Sequence, residues 1–144
     1  MSTLGIFQHH RMILCHFDSY STALRFARFG DSVMIPTPLP EQVSLTTASA
    51  DTDGHPPAAV LDAVLTRLGI PPAQLELDHR FNASLSSDRG RIHVHLARFT
   101  DFDAPHASID AHGGVFKPLS ELRRLPMMEL NLLRDIFNLT MGAA

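Results

Sequence analysis

Tryptophan is absent from this chain of 144 residues, and tyrosine and cysteine occur once each. One cysteine excludes an intramolecular disulfide, so no covalent staple holds the fold, and a reducing compartment suits it. Cys15 reads most simply as a small buried hydrophobe on a strand. Runs of like charge are missing as well. Lys and Arg number 12 against 15 Asp and Glu, for a net charge of -3. The longest basic run is the pair Arg123-Arg124. That disfavours a nucleic-acid polymer or an anionic membrane surface as partner. No apolar run approaches the length of a membrane span, and the opening MSTLGIFQHHRMILCHF lacks the basic-then-apolar layout of a secretory signal. A cytoplasmic protein is the expectation.

Apolar residues make up 44% of the chain and charged ones 19%, enough to build a core. The length suits one domain, residues 1–144. The runs RMILCHF and STALRFARF, separated by the polar DSYS, read as a β-hairpin, and SVMIP as a third strand ending at Pro36. Residues 36 to 56 are irregular, because the prolines of PTPLPEQ remove backbone donors. From Pro57 to Leu68, Val60, Leu61, Val64, Leu65 and Leu68 recur at helical spacing, with proline at the start and Gly69 at the end. Ala63, Thr66 and Arg67 fall on the opposite, more exposed side.

Two alternating runs follow and pair as an antiparallel hairpin. In LELDHRFNA, Leu75, Leu77, His79 and Phe81 oppose Glu76, Asp78 and Arg80; in RIHVHLARF, Ile92, Val94 and Leu96 oppose His93 and His95. GGVFKPL gives a short strand, LSELRRL a helical turn, and PMMELNLLRDIFNLTMG a second helix closed by Gly142. The class is α+β, a mixed sheet sandwiched between helices.

That order of elements, with these residues, resembles the Nudix hydrolase superfamily. The family signature ends in R-E-U-x-E-E-x-G-U, with U a bulky aliphatic. AAVLDAVLTRLGI matches it in length, apolar face and final Gly69-Ile70. ALRFARFGDSVMIPTP resembles the strand, turn and strand that lead into the signature. IHVHLARF, GGVFKPLSELRRLP and ELNLLRDIF resemble the closing strand, the strand with short helix, and the C-terminal helix. The resemblance implies a Nudix-like sheet, and the catalytic letters depart from it. The Arg-Glu pair falls on Asp62 and Ala63, the Glu-Glu pair on Thr66 and Arg67, and Thr37 and Pro38 replace glycines after Pro36. Mg²⁺ wants carboxylate and phosphate oxygens, which alanine and threonine cannot supply and which Arg67 opposes. A degenerate member follows, a domain that binds a small molecule, nucleotide-like in kind, or a protein partner without turnover. No cofactor is expected.

Other constellations compete with that reading. His93 and His95 share a strand face and could hold a metal ion, with a third ligand from His16, His79, His106 or His112. The plainer alternative is a half-exposed face of hydrogen-bonded histidines, with His9 and His10 in solvent. Arg25 and Arg28 are candidate contacts for an anionic ligand, although a spacing of three sets them on opposite faces of a strand. Glu41 could approach the altered helix face, and Asp51 and Asp53 are further loop carboxylates. A divergent metal-dependent hydrolase of a nucleoside-diphosphate-type substrate would draw on these. The resemblance also implies a homodimer, and the Met- and Leu-rich last helix is the candidate contact.

Overall fold

The computed structural model describes residues 4–46, 56–88 and 90–142. After a 3₁₀ turn at Leu4–Gln8, the strands are β1 (His10–Asp18), β2 (Ala23–Phe29), β3 (Val43–Thr46), β4 (Leu75–Ser87), β5 (Gly90–Phe99) and β6 (Gly114–Pro118). The helices are α1 (Pro57–Leu68), α2 (His106–Asp110) and α3 (Met127–Phe137), the last running into a π-helical turn at Asn138–Gly142. The strands form one sheet of six in the order β3-β4-β5-β1-β2-β6. Its central neighbours β1 and β5 run parallel, with His10 opposite His93 and Met12 opposite His95. The other neighbours are antiparallel. The fold is α+β, a mixed sheet flanked by helices.

Both faces of that sheet are covered. On one, Met12, Leu14, Ala27, Ala97 and Phe99 pack beneath Val60, Val64, Leu65 and Leu68 of α1. On the other, Ile13, Cys15, Phe26, Val94 and Leu96 pack beneath Leu130, Leu132, Leu133 and Ile136 of α3. Cys15 is a fully buried side chain in this second layer, and burial pushes its thiol up to about 12. It behaves there as a hydrophobe, because only a thiolate is nucleophilic. No helix among the described residues is long and apolar enough to cross a membrane.

Helix α1 has the expected bounds for the expected reasons. Pro57 sits in its first turn, where a missing N–H costs nothing, and Gly69 at φ 67° ends it in the left-handed region. His112 Nε2 lies 2.9 Å from the Leu68 carbonyl, one of the oxygens that the helix end leaves free. Ala63 corrects one expectation. It is only 6% exposed and belongs to the core beneath the helix, so the apolar face is wider than the stripe, while Thr66 and Arg67 are exposed.

SVMIP does not form a strand. It makes isolated bridges, Met12 to Ile35 and Phe29 to Ser32. The cause is a carboxylate. Glu129, in the first turn of α3, accepts from Ser32 Oγ at 2.7 Å and from the Val33 N–H at 2.9 Å, while the Met34 N–H donates to Ser32 Oγ at 3.0 Å. Backbone donors at 33 and 34 are thereby spent on side chains and leave the ladder. The Glu129 carboxyl is buried, which raises its pKa.

The pattern LELDHRFNA also departs from simple alternation. A register irregularity between Leu77 and Asn82 switches β4 from one face to the other. Leu75 and Leu77 pack on the α1 side, Phe81 and Leu85 on the α3 side. His79 is exposed and Asp78 is buried, the reverse of the alternating expectation. Asp78 anchors the irregularity: its Oδ1 accepts from the Arg80 N–H and Nε, both at 3.0 Å, and its Oδ2 from Arg80 Nη2 at 2.7 Å. Those bonds hold its carboxyl below the ordinary aspartate value.

Candidate functional site

The four α1 positions that the sequence resemblance singles out separate in space. Asp62, Thr66 and Arg67 are exposed, whereas Ala63 is under the helix. Arg67 lines a small cleft of about 190 Å³ with Phe29, Met34, Pro36 and His112. Glu41 lines a different cleft, with Pro38, Leu39, Gln42 and Asp88. Glu41 and the exposed α1 positions are therefore not gathered into one of these clefts. Asp51 and Asp53 lie outside the described residues.

His93 and His95 do share the α1-side face of β5, but they are buried, 8% and 6% exposed. Their neighbour is His10, at 2% exposure, which corrects the expectation of a solvent-exposed terminal histidine. The parallel pairing of β1 with β5 brings it there, opposite His93. His10 Nδ1 lies 3.0 Å from His95 Nε2, and the two rings stack with centroids 5.2 Å apart. His93 is 5.4 Å from His10 by centroid, and its Nδ1 lies 3.2 Å from Ser84 Oγ. Burial, then the neighbouring His10 and His93, press the His95 imidazole down to about 4. His95 is thus uncharged at neutral pH, and one N–H can be shared between the facing nitrogens of His10 and His95.

The separation of 3.0 Å is a hydrogen-bond distance. Two imidazoles on a tetrahedral zinc, with bonds of roughly 2.0–2.1 Å, would stand about 3.3 Å apart. Among the described residues, no three His, Cys, Asp or Glu side chains gather in a way that could hold a metal ion. The four proposed third ligands are engaged or displaced elsewhere. His16 Nε2 meets the Asp101 carbonyl at 3.0 Å, His106 packs edge-on against Phe116, His112 meets Leu68, and His79 is exposed. His10 was hidden from sequence reasoning because a contact with His95 across parallel strands, 85 residues apart, leaves no local pattern.

Arg25 and Arg28 diverge as their spacing requires. Arg25 pairs with Asp18 across the hairpin at 3.8 Å. Arg28 lines a separate cleft with the segment from Ser120 to Leu125.

A larger cleft, about 640 Å³, opens between β4 and the C-terminal half of α3. Phe81, Ala83, Leu132, Leu139 and Leu45 give it apolar walls, and Asn82, Asp135 and Asn138 supply polar groups. Arg80 also borders it, but its guanidinium is committed to Asp78 and to the Leu139 carbonyl at 3.3 Å. Apolar walls with a few converging polar groups, at this volume, are the usual make-up of a small-molecule site. Sequence gave no sign of it, because the face-switching irregularity in β4 creates one wall.

No family model matches the chain, and no curated protein matches it in sequence.

Proposed function

We propose that this chain is a non-catalytic, Nudix-like domain that binds a small molecule of nucleoside type in the cleft between β4 and α3. One observation carries the loss of catalysis. Of the four α1 positions, a single exposed carboxylate, Asp62, remains, while Ala63 is core and Arg67 brings a positive charge to its cleft. Diphosphate hydrolysis needs a metal to neutralise developing charge, and a metal needs several oxygens on one face. The Nudix-like reading is supported by the mixed sheet with α1 on one face and α3 on the other. Binding survives where chemistry is lost, because fold and site are separable.

The ligand class comes from the cleft itself. Phe81 offers a flat apolar surface, and the amides of Asn82 and Asn138 can each donate and accept, as the edge of a heterocycle requires. The test is a panel of nucleosides and nucleoside diphosphates with Mg²⁺ or Mn²⁺, read by calorimetry and by phosphate release. Binding without release above background is expected. Robust metal-dependent hydrolysis overturns the reading and favours a divergent hydrolase built on Glu41, the loop carboxylates or the histidines.

A specific observation favours a second reading, an interaction subunit. Met127, Phe137 and Leu139 on and beside α3 are 63%, 37% and 36% exposed. Light scattering of the purified chain tests a homodimer directly, and a monomeric mass at tens of micromolar removes it.

A further inference from the structure

We propose that the cleft formed by Arg28, Arg123 and Arg124 is an anion site for a phosphorylated small molecule, distinct from the cleft between β4 and α3. The proposal does not rest on the nucleoside-binding reading.

The chain builds this site from two sides. On β2, Leu24 and Phe26 point into the α3-side core, and Arg28 is the next residue on that face. It stands where the sheet passes beyond the buried layer, beside Gly30 and Asp31. The opposite wall is the segment that joins β6 to α3. Leu122 and Leu125 anchor it in the core at 2% and 6% exposure, so Arg123 and Arg124, held between the two anchors, are exposed at the cleft. The pair that carries no meaning in the sequence thus faces a third arginine from a distant strand. The cleft measures about 580 Å³.

These charges are not consumed by the protein. Asp31 and Glu121 line the same cleft, yet among the described residues neither makes an ion pair with any of the three arginines. Glu121 is taken by Lys117 at 3.3 Å. Arg28 Nε is buried and has no hydrogen-bond partner. That nitrogen is closed to solvent, so an anion in the cleft would meet the terminal nitrogens of the three side chains. Guanidinium forks match phosphate oxygens two at a time, so three of them suit a group with several oxygens and about two charges better than a lone carboxylate. A long polyanion is disfavoured on a chain of net charge -3 whose longest basic run is Arg123-Arg124.

The experiment is calorimetric titration of the full chain at low ionic strength with inorganic pyrophosphate, adenosine diphosphate and adenosine. The wild type should bind pyrophosphate and adenosine diphosphate through this cleft, with affinity that falls as salt is added. Arg123→Ala/Arg124→Ala, a change at exposed positions that should fold normally, should weaken pyrophosphate at least tenfold, and Arg28→Gln should do the same. Similar affinities for the two phosphate ligands would make the phosphate the recognised group. Tighter adenosine diphosphate binding, lost in the same variants, would extend the ligand to a nucleotide. Asn138→Ala in the other cleft should leave pyrophosphate affinity unchanged, so failure of the nucleoside site is read separately, by adenosine. No pyrophosphate binding by the wild type, or binding indifferent to Arg123→Ala/Arg124→Ala, overturns the proposal.

Discussion

His95 is a basic side chain kept uncharged, and its environment has a consequence for stability. Its imidazole titrates near 6.5 in an open chain and is pressed to about 4 in the fold by burial and by His10 and His93. Between those values the unfolded chain binds a proton that the native one refuses. Stability is therefore complete above about pH 6.5 and is lost as pH falls toward 4. At about 1.4 kcal/mol for each pH unit, this single group removes on the order of 3 kcal/mol across the window. Urea unfolding at pH 7.5 and pH 4.5 should record the loss. His95→Gln should flatten the profile between them, and an equally steep profile in that variant would assign the proton to another group. The sequence reveals that 93 and 95 share a face; it does not reveal that the face is closed. His10, on a parallel partner strand remote along the chain, packs against that face.

At the scale of elements, α1 could be read almost residue by residue, because its signals are local: proline in the first turn, glycine at the end, an apolar stripe between. The width of the buried face was not legible. It depends on how closely the helix settles on the sheet, and Ala63, small enough to slip beneath, is core. This changes what substitution can do. Leu65→Ala should cost roughly 2–5 kcal/mol through the cavity it leaves. Ala63→Glu should also destabilise, by roughly 2 kcal/mol or more, since it drives a carboxylate into an apolar layer. Thr66→Glu with Arg67→Glu, at exposed positions, should stay within about 0.5 kcal/mol of wild type. Chemical denaturation of the three variants checks the order. An Ala63→Glu protein as stable as wild type would mean that the helix rides higher than described. The strand expected at SVMIP was lost for a related reason. Its alternation and β-branched residues are sound locally, but Glu129, nearly a hundred positions away, takes the Val33 N–H and holds the Ser32 hydroxyl that takes the Met34 N–H.

For the whole molecule, α1, α3 and both hairpins follow from periodicity, while the clefts arise where periodicity breaks. The irregularity in β4 lies at one wall of the cleft against α3, and the segment from β6 into α3 brings Arg123 and Arg124 to the cleft that Arg28 lines. The proposed binding through apolar walls and arginines, without a bridging metal, leads to a prediction about the response to chelation. A ligand that binds only the native state stabilises it by mass action, by about 2.7 kcal/mol at a hundred times its dissociation constant. For a domain of this size, that should raise the midpoint of thermal unfolding by roughly 5–10 °C. If the contacts are protein groups alone, the rise should be the same with a divalent cation present or with excess chelator. A thermal shift measured with a nucleoside diphosphate in both conditions makes the comparison. Loss of the shift in chelator would place a metal between ligand and protein. The altered α1 face would then be supplemented by oxygens from another segment, and the non-catalytic reading would fall with it.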